Sequence, residues 1–545
     1  MQDTSSSCAD ALSPTGQQHQ PTSTDSPDNR SKFRRYRIGY FISSLGLGPA
    51  IAGVGTFVPY QLQNLAFAVG HEPGSPQNTG CPPSSSACLV KFGGADVNLT
   101  SYLLYMGATA SAISGVMTLL ISGTGDRLSL QREQYICLLA TYGAFCLPMA
   151  ALRAIDQRTL ETFTALYVMC GILSALATAW SNIFVSFTMQ QTVRDERFEM
   201  RQGQEGMASA FPDAGQRQPY SLTRHELQGL SMSVAGYVGL CAGQATLFLI
   251  AIGLTYLDSV YAGLSTTAGA GAVCIVLAVA AWPLLPQPPQ TGQRRPSSAT
   301  EWLALPFMAV RTFFHGLRAH HEAFKLLTAY TLYGDGVSTF DQMSGRIFNL
   351  TFRPSLREFT AYTLLDPVLS AISAILLLCV FAPMRRNYYV TLRHWMTMSF
   401  IAVSLCIIWA AIGLSSSASI GLKHRWEFYV VKSLALAANG VVIVCFRVSF
   451  PQLFPRGSEV QYFGIQLAVS LATAWIPGVV TAPIVNATGQ QRVPALASAI
   501  CLIIALGLVL WTNTERGRDQ VRRNTQAVMI GRFIPNKSAA RPGLK

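Results

Sequence analysis

One carboxylate stands where the surrounding residues leave it little water. Asp335 lies in Ala329-Tyr330-Thr331-Leu332-Tyr333-Gly334-Asp335-Gly336-Val337, inside a long apolar run. A carboxylate there is costly unless it is paired, protonated or facing a water-filled space. Its chemistry is then either contact with a ligand ammonium or carriage of a coupling proton. A structural acid bonded to neighbouring hydroxyls is the alternative. Gly334 and Gly336 on either side loosen the helix and let solute or water approach. Three amides, Asn182, Gln244 and Asn439, also fall deep in apolar runs, where they suit contacts to a polar solute or links between helices. Lys432 is a further intramembrane charge, near enough to the end of its run to snorkel. Neither a CxxC pair nor a Cys/His cluster points to a metal, and no cofactor is expected. Acid–base candidates in the longest outer loop are few (His71, Glu72 and Asp96), so enzymatic chemistry is not expected.

The elements that must hold these groups are membrane helices. The chain has 545 residues, of which 50% are hydrophobic and 12% charged, against about 25% charged in a soluble domain. Mean hydropathy is +0.31. Apolar runs recur at about the length that crosses a bilayer, roughly 20 residues. Open backbone is not tolerated in lipid, so each run must be helical. Twelve spans are expected, at about 38–65, 101–122, 135–152, 163–188, 229–256, 260–285, 324–349, 360–383, 395–414, 426–450, 460–485 and 493–512. The fold class is an all-α membrane protein.

Charge sets the orientation. The formal net charge is +13, which in a soluble protein would suggest nucleic acid. Here the basic residues lie between apolar runs, and roughly three quarters of them fall on the side of the two termini, so both termini are expected in the cytosol. The organisation reads as a disordered cytosolic tail (1–37), a first six-helix half (38–285) with a disordered cytosolic loop (189–228), a cytosolic linker (286–323), a second six-helix half (324–512) and a cytosolic tail (513–545). In the linker, Leu303, Phe307, Val310, Phe314 and Leu317 form one helical stripe, which predicts an amphipathic helix on the membrane face. On the other side fall the sequons at Asn98, Asn349 and Asn486, candidate glycosylation sites. Cys81 and Cys88 share the polar loop of residues 70–100 and are the disulfide candidates; nine other Cys fall inside apolar runs.

Six spans, a central cytosolic loop and six more spans is the major facilitator plan. The loop Gly123-Thr-Gly125-Asp126-Arg127, followed by Arg132, is a ragged form of that superfamily's acidic–basic signature. The two halves also carry helix-breaking sites at matching places: Gly46-Leu-Gly48-Pro49 and Gly53-Val-Gly55 in the first span, Gly334-Asp335-Gly336 in the seventh. Broken helices at corresponding places point to a midplane site; close packing through small residues is the other reading. Gly48, Gly334 and Gly336 therefore join Asp335, Asn182, Gln244 and Asn439 as candidate substrate or coupling residues.

Several segments resemble one family. The run Tyr333-Gly334-Asp335-Gly336-Val337, the stretch from Arg447 through Phe450, Leu453-Phe454-Pro455, Gly457, Glu459 and Tyr462-Phe463, the pieces Thr488-Gly489 and Gly55-Thr56-Phe57-Val58-Pro59, Gly236-Tyr237 and Trp302 are similar to the autophagy-related protein 22 family. That resemblance implies a fungal vacuolar membrane protein that returns amino acids, notably leucine and other bulky neutral ones, from the lumen to the cytosol after autophagic breakdown. It implies amino acids and the lipid bilayer as partners, with a coupling proton open. Residues 70–100 would then face an oxidising lumen that suits a Cys81–Cys88 bridge. The rival expectations are a major facilitator antiporter or permease for another small solute, and a non-transporting membrane scaffold.

Overall fold

The computed structural model describes residues 27–523, apart from short stretches between 73 and 94, residues 206–219, 255–261, most of 288–319, 455–458, 477–491 and the single positions 129, 353, 389, 416 and 522. The first span is a run of helix in three parts: α1 (Pro27–Ala52), a π-helical turn (Gly53–Phe57) and α2 (Val58–Val69). Then follow α3 (Leu99–Leu128), α4 (Gln131–Cys146) with a 3-10 turn at Leu147–Ala151, α5 (Gln157–Glu205), α6 (Tyr220–Leu254) and α7 (Ala262–Ala281). The second half comprises α8 (His321–Phe352), α9 (Leu356–Tyr388), α10 (Leu392–Ile412), α11 (Arg425–Ser449), α12 (Glu459–Thr473) and α13 (Val493–Trp511).

Within the first half α1 packs on α6 and α7, α3 on α5, and α4 on α7; within the second, α8 packs on α13, α9 on α11, and α10 on α11 and α13. The halves meet along α6 with α9 and along α3 with α12. Among the described residues nine helices are long and apolar enough to cross a membrane. The other three expected spans are α3, α8 and α12. Of these α12 is described only to the edge of residues 477–491, while α8 carries Asp335, Asp341, Lys325 and Glu322 and is too polar to qualify on hydropathy. That excess of polarity locates the part of the bundle that must face water or a solute.

Glycine lets the innermost helices of the first half touch. A Cβ at Gly48 would lie 2.2 Å from the Leu240 carbonyl oxygen, and one at Gly243 would lie 2.4 Å from that of Leu45. The contact between α1 and α6 is therefore backbone to backbone, as small residues permit in lipid. Gly48, expected to line a binding site, is occupied in this packing. The matching-break expectation is not met: the first span passes Gly46–Pro49 as regular helix and only widens to a π-helical turn at Gly53–Phe57, and α8 runs unbroken through Gly334 and Gly336.

Two other expectations change. The loop 189–228, expected to be disordered, is helical at both ends, because α5 continues to Glu205 and α6 begins at Tyr220. From Thr192 to Gln202 there is no Gly or Pro, and Arg, Glu, Gln and Met are good helix formers. In the linker, residues 300, 301, 304, 307, 308 and 311 are helical, and the rest of the amphipathic stripe lies outside the described residues. The Asp126–Arg127 side chains also lie outside them, as does Asn486; Asn98 ends a strand and Asn349 stands in the last turn of α8, their side chains not described.

The polar segment before α3 is a small hairpin rather than a plain loop. Strands β1 (Leu89–Phe92) and β2 (Ala95–Asn98) pair antiparallel, with Val90 opposite Val97. His71 exchanges both backbone hydrogen bonds with Leu89, and the Cys81 N–H donates to the Phe67 carbonyl at the end of α2. Cys81 and Cys88 are joined by a disulfide across seven positions, and both are buried. A loop this short contributes at most about 2–3 kcal/mol through chain entropy. Alkylation of unreduced, denatured protein should leave both thiols unlabelled, and prior reduction should add two labels on the peptide holding them. Labelling of both without reductant would rule the bridge out.

Candidate functional site

The helix α8 has two faces. Gly336 packs toward α13, where a Cβ would lie 3.2 Å from Leu502 Cγ. Tyr333 stacks on Phe400 of α10 at 4.3 Å between ring centroids. Asp335 lies on this packed side; it is almost wholly buried and its carboxylate meets the Thr473 side chain of α12. Its carbonyl accepts a hydrogen bond from the Thr339 hydroxyl at 2.7 Å. Beside Asp335, on the flank away from Gly336 and Tyr333, run Gly334, Ser338, Asp341 and Gln342, all exposed. Their spacing of four, three and one places them on one stripe. No atom comes within 4 Å of a Cβ built at Gly334, or at Gly345 one turn beyond Asp341. This stripe is the part of α8 that neighbouring helices leave uncovered.

At the far end of that stripe three helices bring charges together. The Lys432 ammonium of α11 is 2.8 Å from Asp366 Oδ1 of α9 and 3.7 Å from Asp341 Oδ1 of α8. It sits 3.9 Å from the ring centroid of Tyr362, one turn before Asp366 on α9. The Lys432 side chain is 8% exposed, Asp366 31% and Asp341 52%. Lys432 is thus held from one side by a close carboxylate and an aromatic face, while Asp341 reaches it from the open side. Counting from the ends of α8 and α11, the cluster lies roughly 10–16 Å into the bundle. Burying one ammonium demands a partner; here two carboxyl groups stand within 4 Å of it.

The structure separates these groups from Asp335, six residues and roughly 9 Å along the α8 axis. Asn439, two turns after Lys432, shares its face of α11 and is half-buried. Asn182 is buried in α5, and its Oδ1 has no hydrogen-bond partner among the described residues. Gln244, half-buried on α6, lies where that helix backs onto Gly48. The candidates are therefore spread through the bundle. Only Lys432 of the charges weighed from sequence joins the cluster, and Asp341 and Asp366 were missed. A cleft of about 160 Å³ between α2, α5, α7 and the 3-10 turn after α4 involves Gln61, Asn64, Arg153 and Phe163, well apart from these charges.

The halves are closed against each other on the side that carries the 286–323 linker. There the Ser233 hydroxyl of α6 donates to the Val444 carbonyl of α11 at 3.4 Å, and the Arg447 guanidinium lies 5.8 Å from the Tyr237 ring centroid. Arg518, beyond α13, makes an ion pair at 2.7 Å with Glu226 at the start of α6. On the same side Phe446 stacks between Tyr330 and Phe450, and Phe454 stacks on Tyr462 at 4.3 Å. The family-like segment after Arg447 therefore forms an aromatic plug at this end of the second half.

The sequence of residues 33–522 matches the family described as vacuole effluxer Atg22 like. The chain belongs to that family. Similar proteins include an autophagy-related protein 22 of Candida albicans, 24% identical with 87% of this chain and 88% of the relative covered. Another is an autophagy-related protein 22-2 of Emericella nidulans, 20% identical with 94% and 97% covered. In fold this Atg22-like chain is similar to the human organic anion transporter MFSD10, with a TM-score of 0.54, 14% identity and 88% and 99% coverage. It is also similar to the proton:xylose symporter XylE, with a TM-score of 0.56, 12% identity and 89% and 96% coverage. The Atg22-like chain is thus a multi-pass transporter of the major facilitator fold and a vacuolar membrane protein by family, not an enzyme.

Asp335→Asn is the informative change on the packed face of α8. It keeps size and hydrogen bonding and removes the charge. If the carboxylate takes part in transport, efflux is expected to fall at least tenfold with folding and delivery to the vacuole unchanged. Full efflux with an unaltered pH profile would assign Asp335 to helix packing through Thr473.

Proposed function

We propose that this Atg22-like protein exports amino acids, notably bulky neutral ones such as leucine, from the vacuole lumen to the cytosol by alternating access. The observation that carries the reading is the pairing of a buried ammonium with two carboxylates beside an exposed polar stripe on α8. A zwitterion needs both signs of charge within a few ångströms, and this site offers them. The π-helical turn of the first span and the closed linker side support a rocking motion of one half against the other. On this reading the linker side and both termini face the cytosol, the disulfide-bonded hairpin faces the lumen, and the conformation described is the lumen-facing one.

The test is release of labelled leucine from isolated, preloaded vacuoles with and without the protein. Release should drop several-fold in its absence and return with the wild-type chain. Equal release in both would count against the assignment. In the same preparation, tags on both termini should be digested by added protease; protection of either would reverse the orientation.

A further inference from the structure

We propose that Asp341 and Lys432 are the two poles of the amino-acid site, with Asp341 taking the α-ammonium, Lys432 the α-carboxylate, and Asp366 acting as a positioning residue. The inference rests on the transport reading above and adds the residues and the sense of binding. Its basis is the asymmetry of the cluster. Asp366 contacts Lys432 at 2.8 Å, and Tyr362 closes the same side with its ring. Asp341 stands 3.7 Å away with half its side chain exposed. The first distance is that of a close ion pair; the second is too long for a hydrogen bond. The wider gap therefore lies between the buried ammonium and the exposed carboxylate.

The Asp341 side of that pair is the exposed one. Asp341 continues the exposed stripe of Gly334 and Ser338, and the position one turn beyond it is Gly345, open around its missing Cβ. A ligand whose ammonium and carboxylate stem from one carbon fits between groups of opposite sign that lie close together. Its carboxylate meets Lys432, and its ammonium meets Asp341, which then loses its loose partner. Asp366 stays paired with Lys432 and fixes the direction of the ammonium. The Asp341 carboxylate favours a ligand bearing an ammonium and repels a plain carboxylate. The side chain lies along the exposed stripe of α8, where no charged partner is required of it.

The experiment is leucine counterflow in proteoliposomes holding the full chain, with 4-methylpentanoate (no ammonium) and leucinamide (no carboxylate) as competitors. In the wild type both analogues should compete at least tenfold more weakly than leucine, since each lacks one charge-assisted contact. Asp341→Asn should raise the half-saturating leucine concentration at least tenfold. It should also shrink the preference for leucine over 4-methylpentanoate, because the repelling charge is gone. Lys432→Arg should keep the preference for leucine over leucinamide, since it keeps the cation. A protein that folds but shows wild-type selectivity in Asp341→Asn overturns the assignment. So does one in which leucine affinity is unchanged and only the pH profile flattens, which would make Asp341 a proton carrier. The wild-type arm stands apart from these: absence of leucine counterflow there would remove the transport reading itself.

Discussion

Lys432→Met is expected to lower stability by about 2–3 kcal/mol and to abolish transport, and adding Asp366→Asn to it is expected to restore most of the stability but not the transport. Removing one member of a buried pair leaves the other uncompensated, which typically costs about 3–5 kcal/mol. The lower figure is used because Asp366 keeps nearly a third of its side-chain surface. In Lys432→Met two carboxylates remain within one small volume with no cation. Neutralising Asp366 removes the closer and more buried of them. The pair also makes contacts that no other described group replaces, since Lys432 rests on the Tyr362 ring. Thermal unfolding of the three proteins in one detergent checks the energies, and counterflow checks activity. Equal melting temperatures for the wild type and Lys432→Met would show that the ion pair carries no net stability.

Glu226→Gln should open the linker side. Glu226 is 2% exposed and bound to Arg518, itself only 18% exposed, so the pair is buried between the start of α6 and the segment after α13. Those elements belong to different halves, and the pair exists only when the halves are closed there. Loss of about 2 kcal/mol from that closed state would change the ratio of conformations roughly thirtyfold. A Ser233→Cys reporter sits in the closed contact with Val444. Its rate of labelling, with that of the native thiols subtracted, should rise several-fold when Glu226→Gln is added. An unchanged rate would mean that the Ser233–Val444 contact and the Arg447–Tyr237 stacking hold the closure without the ion pair.

The span pattern was legible because apolar length is a strong signal: each expected span coincides at least in part with a described helix, though α1 and α5 run more than ten residues beyond theirs. The charged cluster was not, and the reason is geometric. Lys432, Asp341 and Asp366 stand on three separate helices, so no stretch of sequence shows them together. Periodicity shows which residues share a face but not which helix that face meets. Asp335 drew attention because two glycines flank it, and one of those, Gly336, turned out to serve contact with α13. Gly48 misled in the same way: a glycine that lets backbones touch and one that lets a solute approach look identical in one dimension. The hairpin before α3 was readable in principle. Gly93-Gly94 separates two short alternating runs, a recognised turn signal. The helical ends of 189–228 were hidden by their polarity, which describes solvent contact rather than conformation.

The polarity of α8 also bears on biogenesis. Each aspartate near the centre of a helix adds about 2.5–3.5 kcal/mol to insertion from the translocon, and α8 carries both Asp335 and Asp341. As a lone segment it would not partition into lipid, and it is the first span of the second half to be synthesised. The cation that compensates Asp341 arrives only with Lys432, whose helix α11 emerges later. The nascent chain must therefore keep α8 in a protected, protein-lined site while about a hundred further residues are made. Glycosylation mapping of α8 alone, against α8 through α11, would register the difference as failed and successful integration.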